Sequence, residues 1–337
     1  MYNNTIDIYK KNLPTKKNEE LEFIYDYFEA FEIESIEMDE YYKINTSAKQ
    51  YTYCEDIAEG LKYLGISIND AANYCCISKN MALCLSENWL TYALVNLIEK
   101  NELNDKSITI IHIDDHKDMM SPFIGYKEGT YYNLITKEDI NFRDSNSIRK
   151  AIKSGAITIG SILTVFAYMI EEIDIIHIKK NLEYEEYGFT KDTFIDSIIH
   201  EKCERICIKK DRAAFNRYYA ISDWKKIIKK IKPESTCILH IDMDYFNNRY
   251  NASTDWMNNN DRHDPSINEQ KKEMDYLIEG IKKINEVTPI KYLLLGISPS
   301  FYPVEYWEEG INYLVSNLEK IGIGIGKEII NYWRNEE

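Results

Sequence analysis

The sequence predicts an α/β fold built on a parallel sheet, and three observations carry that reading. Short apolar, β-branched runs, too brief for helices, alternate with longer stretches of helical periodicity. Two of those runs end alike. Ile108 to Met119 discharges into Asp114, Asp115, His116 and Asp118, and Thr236 to Asp244 discharges into Asp242 and Asp244. The third observation is length, since 337 residues suffice for one large domain, alone or with a substantial extension. In open parallel sheets ligands bind outside the carboxyl ends of the strands, so the two acidic ends are expected to face each other there.

From Lys17 to about Glu34, Leu21, Ile24, Phe28 and Phe31 recur at helical spacing among acidic residues, which predicts an amphipathic acidic helix. Ile36 to Asn45 suits a strand or hairpin arm. Glu55 to Leu64 and Ile68 to Cys76 read as two short helices broken at Gly65. Met81 to Ser86 is the first expected core strand, and Trp89 to Lys100 a helix packed behind it. After the central strand comes a loop, Met119 to Thr130, with Pro122 and Gly125. Ile157 to Ile159, Ile173 to Ile178 and Arg205 to Ile208 are expected strands, and Ile290 to Ile297 the last one. Tyr245 to Pro265, rich in Asn and Asp, is expected to form a lid or substrate loop at a strand's carboxyl end. Pro303 and Glu305 suit the first turn of a helix.

The formal charge of -15 argues against a general nucleic-acid binder and favours a cationic ligand or peptide. Met1 to Thr5 lacks a charged segment leading into an apolar one, so no secretory signal is expected. The longest apolar stretch, Ala156 to Ile170, is interrupted by Thr158, Gly160, Ser161 and Thr164 and is too short to span a membrane. Seven cysteines without metal-finger spacing read as free thiols, and a cytoplasmic location is expected.

Carboxylates and an imidazole crowded at one sheet edge would raise one another's pKa unless a cation neutralised them. Oxygen ligands with one neutral imidazole suit Mn²⁺, with Zn²⁺ and Fe²⁺ as alternatives. Enough oxygens are present for two bridged ions, an arrangement that makes hydroxide at neutral pH. His112 and His240 precede the acids within the strands and read either as partners of the ligands or as core histidines. His177 and His200 lack an acidic strand end and read as structural or solvated. Asp255, Asp261, His263 and Asp264 read as loop solvation.

At these residues the chain resembles a known group. Asp114-Asp115-His116-Lys117-Asp118 looks like the Asp-Ala-His-x-Asp motif of arginases and other ureohydrolases, and Asp242-Met243-Asp244 looks like their Asp-x-Asp motif. The surrounding wording, with Gly296-Ile-Ser-Pro-Ser-Phe-Tyr-Pro, is closer to a divergent arginase-like group that includes peptide arginases of ribosomal peptide biosynthesis. The resemblance covers roughly Met81 to the C-terminus. It implies an arginase/deacetylase-like three-layer α/β fold with a mostly parallel central sheet, spanning 81–337 behind an acidic, mainly helical extension over 1–80. The extension reads either as a structural cap or as a recogniser of a basic peptide.

The resemblance further implies two Mn²⁺ ions held by Asp114, His116, Asp118, Asp242 and Asp244, with Asp118 orienting the hydroxide. Glu305 would bind the guanidinium of an arginine-containing peptide, giving ornithine and urea. Two departures stand out. Trp89 occupies the place of a further metal-binding histidine, which is expected to weaken one site, and Asn247 replaces a third acid. Tyr131 and Tyr132 lie where arginases carry a substrate-contacting histidine, and packing is the expected role. The rivals are a single-Zn²⁺ deacetylase-like hydrolase using Asp114, His116 and Asp242, and a noncatalytic peptide-binding module.

Overall fold

The computed structural model describes residues 4–28, 34–46, 54–103, 106–180, 184–199, 202–253, 255–259 and 262–324. Phe31, His200 and Asp261 lie outside these ranges. In chain order the strands are β1 (Thr5–Tyr9), β2 (Glu34–Glu37), β3 (Tyr41–Asn45), β4 (Cys75–Ile77), β5 (Met81–Cys84), β6 (Ser107–Ile113), β7 (Ile124–Lys127) and β8 (Thr130–Asn133). They continue as β9 (Asp139–Ile140), β10 (Glu172–Ile178), β11 (Glu185–Asp196), β12 (Cys203–Lys210), β13 (Asn216–Ala220), β14 (Thr236–Asp242) and β15 (Ile290–Gly296). The helices are α1 (Lys17–Phe28), α2 (Ile57–Leu64), α3 (Ile68–Ala71), α4 (Trp89–Glu99), α5 (Ser145–Ser154), α6 (Ile162–Met169), α7 (Trp224–Lys230), α8 (Ile267–Val287) and α9 (Asn312–Lys320).

A twelve-stranded mixed sheet runs β4-β5-β15-β14-β6-β10-β13-β11-β12-β7-β8-β9. Its centre, from β5 to β13, is parallel, while β4 at one end and β11, β12 and β7 to β9 at the other pair antiparallel. The parallel strands are near-continuous apolar runs because both of their faces are covered. Alternation along each strand separates the faces. Ile108 and Ile110 of β6 join Ile238 of β14 and Ile173 and Ile175 of β10 beneath α4, α5 and α6. Ile111 and Ile113 face the other way, into a second core with α2, α7, α8 and α9. Helices on both sides of a central sheet make three layers.

Several expectations need correction. The parallel region is flanked by an antiparallel wing of similar extent, which its half-polar strands did not announce. Ile157 to Ile159 forms no strand. Thr158 and Ser161 exchange capping hydrogen bonds there, which start a 3-10 turn leading into α6. Ile68 to Cys76 is one turn of helix followed by the edge strand β4. The helix from Lys17 is described to Phe28.

Residues before Met81 contribute to both cores, Ile8, Phe28 and Ile44 to the first and Leu61, Leu64 and Tyr74 to the second. Arg205 ties α1 to the loop after β6. Its Nη1 donates to Asp196 Oδ2 at 2.9 Å and to Tyr27 Oη at 3.2 Å, and its Nε donates to the Pro122 carbonyl at 2.8 Å. No helix among the described residues is long and apolar enough to cross a membrane. All seven cysteines are free.

Candidate metal centre

Asp114 follows β6 directly and Asp242 ends β14, and these strands are parallel neighbours. Each carboxylate folds the chain back by accepting the backbone N–H two residues on, His116 N–H to Asp114 Oδ1 at 2.6 Å and Asp244 N–H to Asp242 Oδ1 at 3.2 Å. The turns bring their far ends together. His116 Nδ1 lies 2.8 Å from Asp244 Oδ2 and 3.6 Å from Asp114 Oδ1.

Asp118 holds φ at 47°, a left-handed conformation unusual for a residue with a side chain, and its carbonyl is anchored by the Leu163 N–H at 2.9 Å. Its Oδ2 consequently sits 3.6 Å from His112 Nε2. Ser298 is likewise left-handed, at φ 53°, and donates its hydroxyl to Asp242 Oδ2 at 2.6 Å. Strain of this kind persists where the surrounding contacts over-determine it, and both residues border one cluster.

A further acid joins the site. β5 lies beside β15, and Gly296 pairs with Cys84 on one side and Asp242 on the other. A Cβ on Gly296 would stand 3.1 Å from the Cβ of Glu87, so the glycine leaves the space through which Glu87 reaches the cluster. Ligand atoms of Glu87, Asp114 and Asp242 lie within 4.8 Å of one another, as do those of Asp114, His116 and Asp244. Glu87 was not among the residues expected from sequence. The available signal was its position as the first acid after the Met81 strand.

Trp89 does not face this cluster through its indole N–H, which donates to the Ala72 carbonyl at 2.9 Å, and its ring packs edge-on against Tyr92. At 3 % exposure it is a core residue. Trp89→His is therefore expected to lower stability by about 3 kcal/mol, the scale of a large-to-small core change, and to leave metal affinity unchanged. Thermal unfolding and metal titration of the same variant check both halves.

Glu87, Asp114, Asp118, Asp242 and Asp244 are each no more than 5 % exposed, and no lysine or arginine pairs with any of them among the described residues. Burial and then mutual repulsion push Asp242 up to about 7 and Asp244 up to about 6. Burial also raises Asp114, Glu87 and Asp118, the last two well above the carboxylate range. Burial alone would lower His116, but Asp244 and Asp114 outweigh it and hold the imidazole up at about 12. Glu87 Oε2, Asp114 Oδ2, Asp118 Oδ2 and His240 Nε2 are buried without a hydrogen-bond partner. Buried polar atoms are ordinarily satisfied, and orphaned atoms converging among acids that no lysine or arginine neutralises fit a bound cation. This cluster can hold a metal ion.

The other candidates are placed as follows. Glu305 lies outside the cluster, half exposed, with its Oε1 2.5 Å from Nη1 of Arg249. The same arginine donates from Nε to Asp264 at 2.9 Å. Asn247 donates to Asp264 Oδ1 and the Pro265 carbonyl, so its amide ties the loop after β14 together. Asn248 of that loop reaches Asp115 Oδ2 at 3.1 Å, and His263 meets Lys180. Tyr131 packs against Phe142 and Tyr168. His116, with 38 % of its side chain exposed, is the cluster's solvent-facing member, and the Phe301 ring lies 5.0 Å from its own. His177, expected to be structural or solvated, is buried against the site, its Nε2 donating to the Asp114 carbonyl at 3.1 Å. Its strand runs on into Lys179 and Lys180, so the acidic ending that marked the other two was absent.

No family model matches the chain, and no curated protein matches it.

Proposed function

We propose that the chain is a two-Mn²⁺ amidinohydrolase that converts arginine, carried in a peptide, to ornithine with release of urea. The observation that carries this reading is the group of five buried carboxylates and one half-exposed imidazole at adjacent strand ends, with orphaned oxygens converging among them. Asp114 belongs to three ligand groups, one with His116 and Asp244, one with Glu87 and Asp242 and one with His112 and His240, which suits a carboxylate shared between two ions. Asp118 would complete the second. Oxygen donors with imidazole and no thiolate favour Mn²⁺ over softer-ligand metals. When bound, such a pair supplies Lewis acidity and lowers the pKa of water toward neutrality.

The remaining work falls to the chain. The loop from Ser298 to Glu305 runs past the cluster, touching it through the Ser298 hydroxyl on Asp242 and the Phe301 ring beside His116. Glu305, at the far end of that loop, already engages a guanidinium, that of Arg249, and a substrate arginine would exchange with it. The chain's acidity favours a cationic peptide as partner.

The deciding experiment is metal analysis with mass spectrometry of arginine peptides incubated with the Mn²⁺-loaded protein. Two ions per chain and the mass loss of arginine-to-ornithine conversion are expected. One Zn²⁺ with amide hydrolysis would support the deacetylase-like rival, and peptide binding without urea would support the noncatalytic one. Glu305→Gln is expected to raise KM for an arginine peptide about tenfold, the worth of one hydrogen bond to a charged group, with metal content unchanged. Loss of metal in that variant would make Glu305 a ligand instead.

A further inference from the structure

Three histidines lie on one rung of the sheet. His177 of β10 and His240 of β14 both pair in register with His112 of β6, two residues below Asp114 and Asp242 on the same faces of their strands. The His112 and His240 rings are near-coplanar and meet edge to edge, centroids 4.9 Å apart and planes within 9°, and the His177 ring lies 4.6 Å from that of His112 on the other side. All three are fully buried. Three imidazoles in a row, the middle one touching both others, are held neutral away from water, so each carries one N–H and one lone pair.

The hydrogen bonds decide which nitrogen is which. His112 Nε2 lies 3.0 Å from the His116 carbonyl, which can only accept, so His112 bears its proton there. His112 Nδ1 is then a bare acceptor, and its partner at 2.7 Å, His240 Nδ1, must be the donor. His240 is thereby left with an unprotonated Nε2. That atom has no hydrogen-bond partner, is buried, and lies 3.9 Å from Glu87 Oε2, itself without a partner. Two lone pairs facing each other across that gap repel unless a proton or a metal cation lies between them. His177 repeats the device, its Nε2–H donating to the Asp114 carbonyl and its Nδ1 accepting from the Tyr218 hydroxyl at 2.7 Å.

We infer that His240 is a metal ligand through Nε2, paired with Glu87, its tautomer set by a hydrogen-bond relay from the His116 carbonyl through His112. The inference rests on the reading of the carboxylate cluster as a metal centre. It supplies the nitrogen ligand that Trp89 does not provide, from beneath the carboxylates and not from the first strand end. His112 and His177 are positioning residues, since each pins a carbonyl of the Asp114–His116 turn with the N–H the relay leaves it.

The test is nitrogen NMR of ¹⁵N-histidine-labelled protein, metal-free and then titrated with Zn²⁺ as a diamagnetic probe. In the metal-free protein His240 is expected to show protonated Nδ1 and bare Nε2. On adding Zn²⁺ the Nε2 resonance is expected to move to the position of a coordinated nitrogen while Nδ1 stays protonated. A shift at His116 with none at His240 would overturn the inference and leave the metal centre standing. No response at either residue would overturn both. His240→Phe is expected to weaken one of two Mn²⁺ equivalents more than about 100-fold by calorimetry, beyond the range of about 10- to 100-fold that loss of a ligand's hydrogen-bonded neighbour costs and within which His177→Phe is expected to stay. Equal weakening in both variants would reduce His240 to a packing role. Where His240→Phe fails to fold, the NMR result on the wild-type chain decides.

Discussion

Asp242→Asn is expected to lower the proposed urea release from an arginine peptide more than about 100-fold, beyond the upper end of what loss of a ligand's hydrogen-bonded neighbour costs. The fold should survive. The substitution is isosteric, and the new amide oxygen can still accept from either the Ser298 hydroxyl or the Asp244 N–H. A second readout separates loss of a ligand from general damage. Without metal, the wild type must either protonate its buried acids or bear their repulsion, whereas the asparagine variant carries one potential charge fewer. The metal-free variant should therefore melt at a higher temperature than metal-free wild type near neutral pH, while the order reverses with saturating Mn²⁺. Near-normal turnover in the variant under limiting metal would remove Asp242 from the site.

The stability of the metal-free protein should fall as pH rises above about 6.5, opposite to the usual behaviour of paired carboxylates. Asp242 is held up at about 7, and Glu87 and Asp118 are raised well beyond the carboxylate range by burial and then by neighbouring acids. A carboxyl whose pKa is higher folded than unfolded contributes stability below its unfolded value, and that stability is lost as pH rises through the folded value. His116, held at about 12, acts in the same sense above 6.5. The buried histidines act oppositely, because burial lowers His177 to about 4 and His240 to about 3, but their contribution is complete once pH exceeds their ordinary value of 6.5. The window from about pH 6.5 to 8.5 thus isolates the cluster, and each proton retained only by the fold costs about 1.4 kcal/mol per pH unit. Mn²⁺ should flatten the curve and release protons on binding. A flat metal-free curve across that window would show that the carboxylates are neutralised in another way.

The sequence by itself determined that two short apolar strands end in acids, because apolar runs and the residues closing them are contiguous in the chain. Asp114, His116, Asp118, Asp242 and Asp244 were legible for that reason, and so was the α/β class. Glu305 was legible as the start of a turn, but its engagement with Arg249 was not, since it depends on how two separate loops meet. Glu87 was not legible as a site residue, since the resemblance drew attention only to Trp89, two residues later, as a missing ligand. The tertiary structure brought Glu87 in by setting β5 against β15 and leaving at Gly296 the space that Glu87 crosses, while the Trp89 indole N–H turned to Ala72. The histidine rung was the least legible feature. His112, His177 and His240 are at least 63 residues apart, and no local pattern relates them. Their alignment follows from the registers of three parallel strands, set by the packing of apolar side chains on both sheet faces. The asymmetric hydrogen bonding of that rung, which leaves one nitrogen bare beneath the acids, exists only once those strands are side by side.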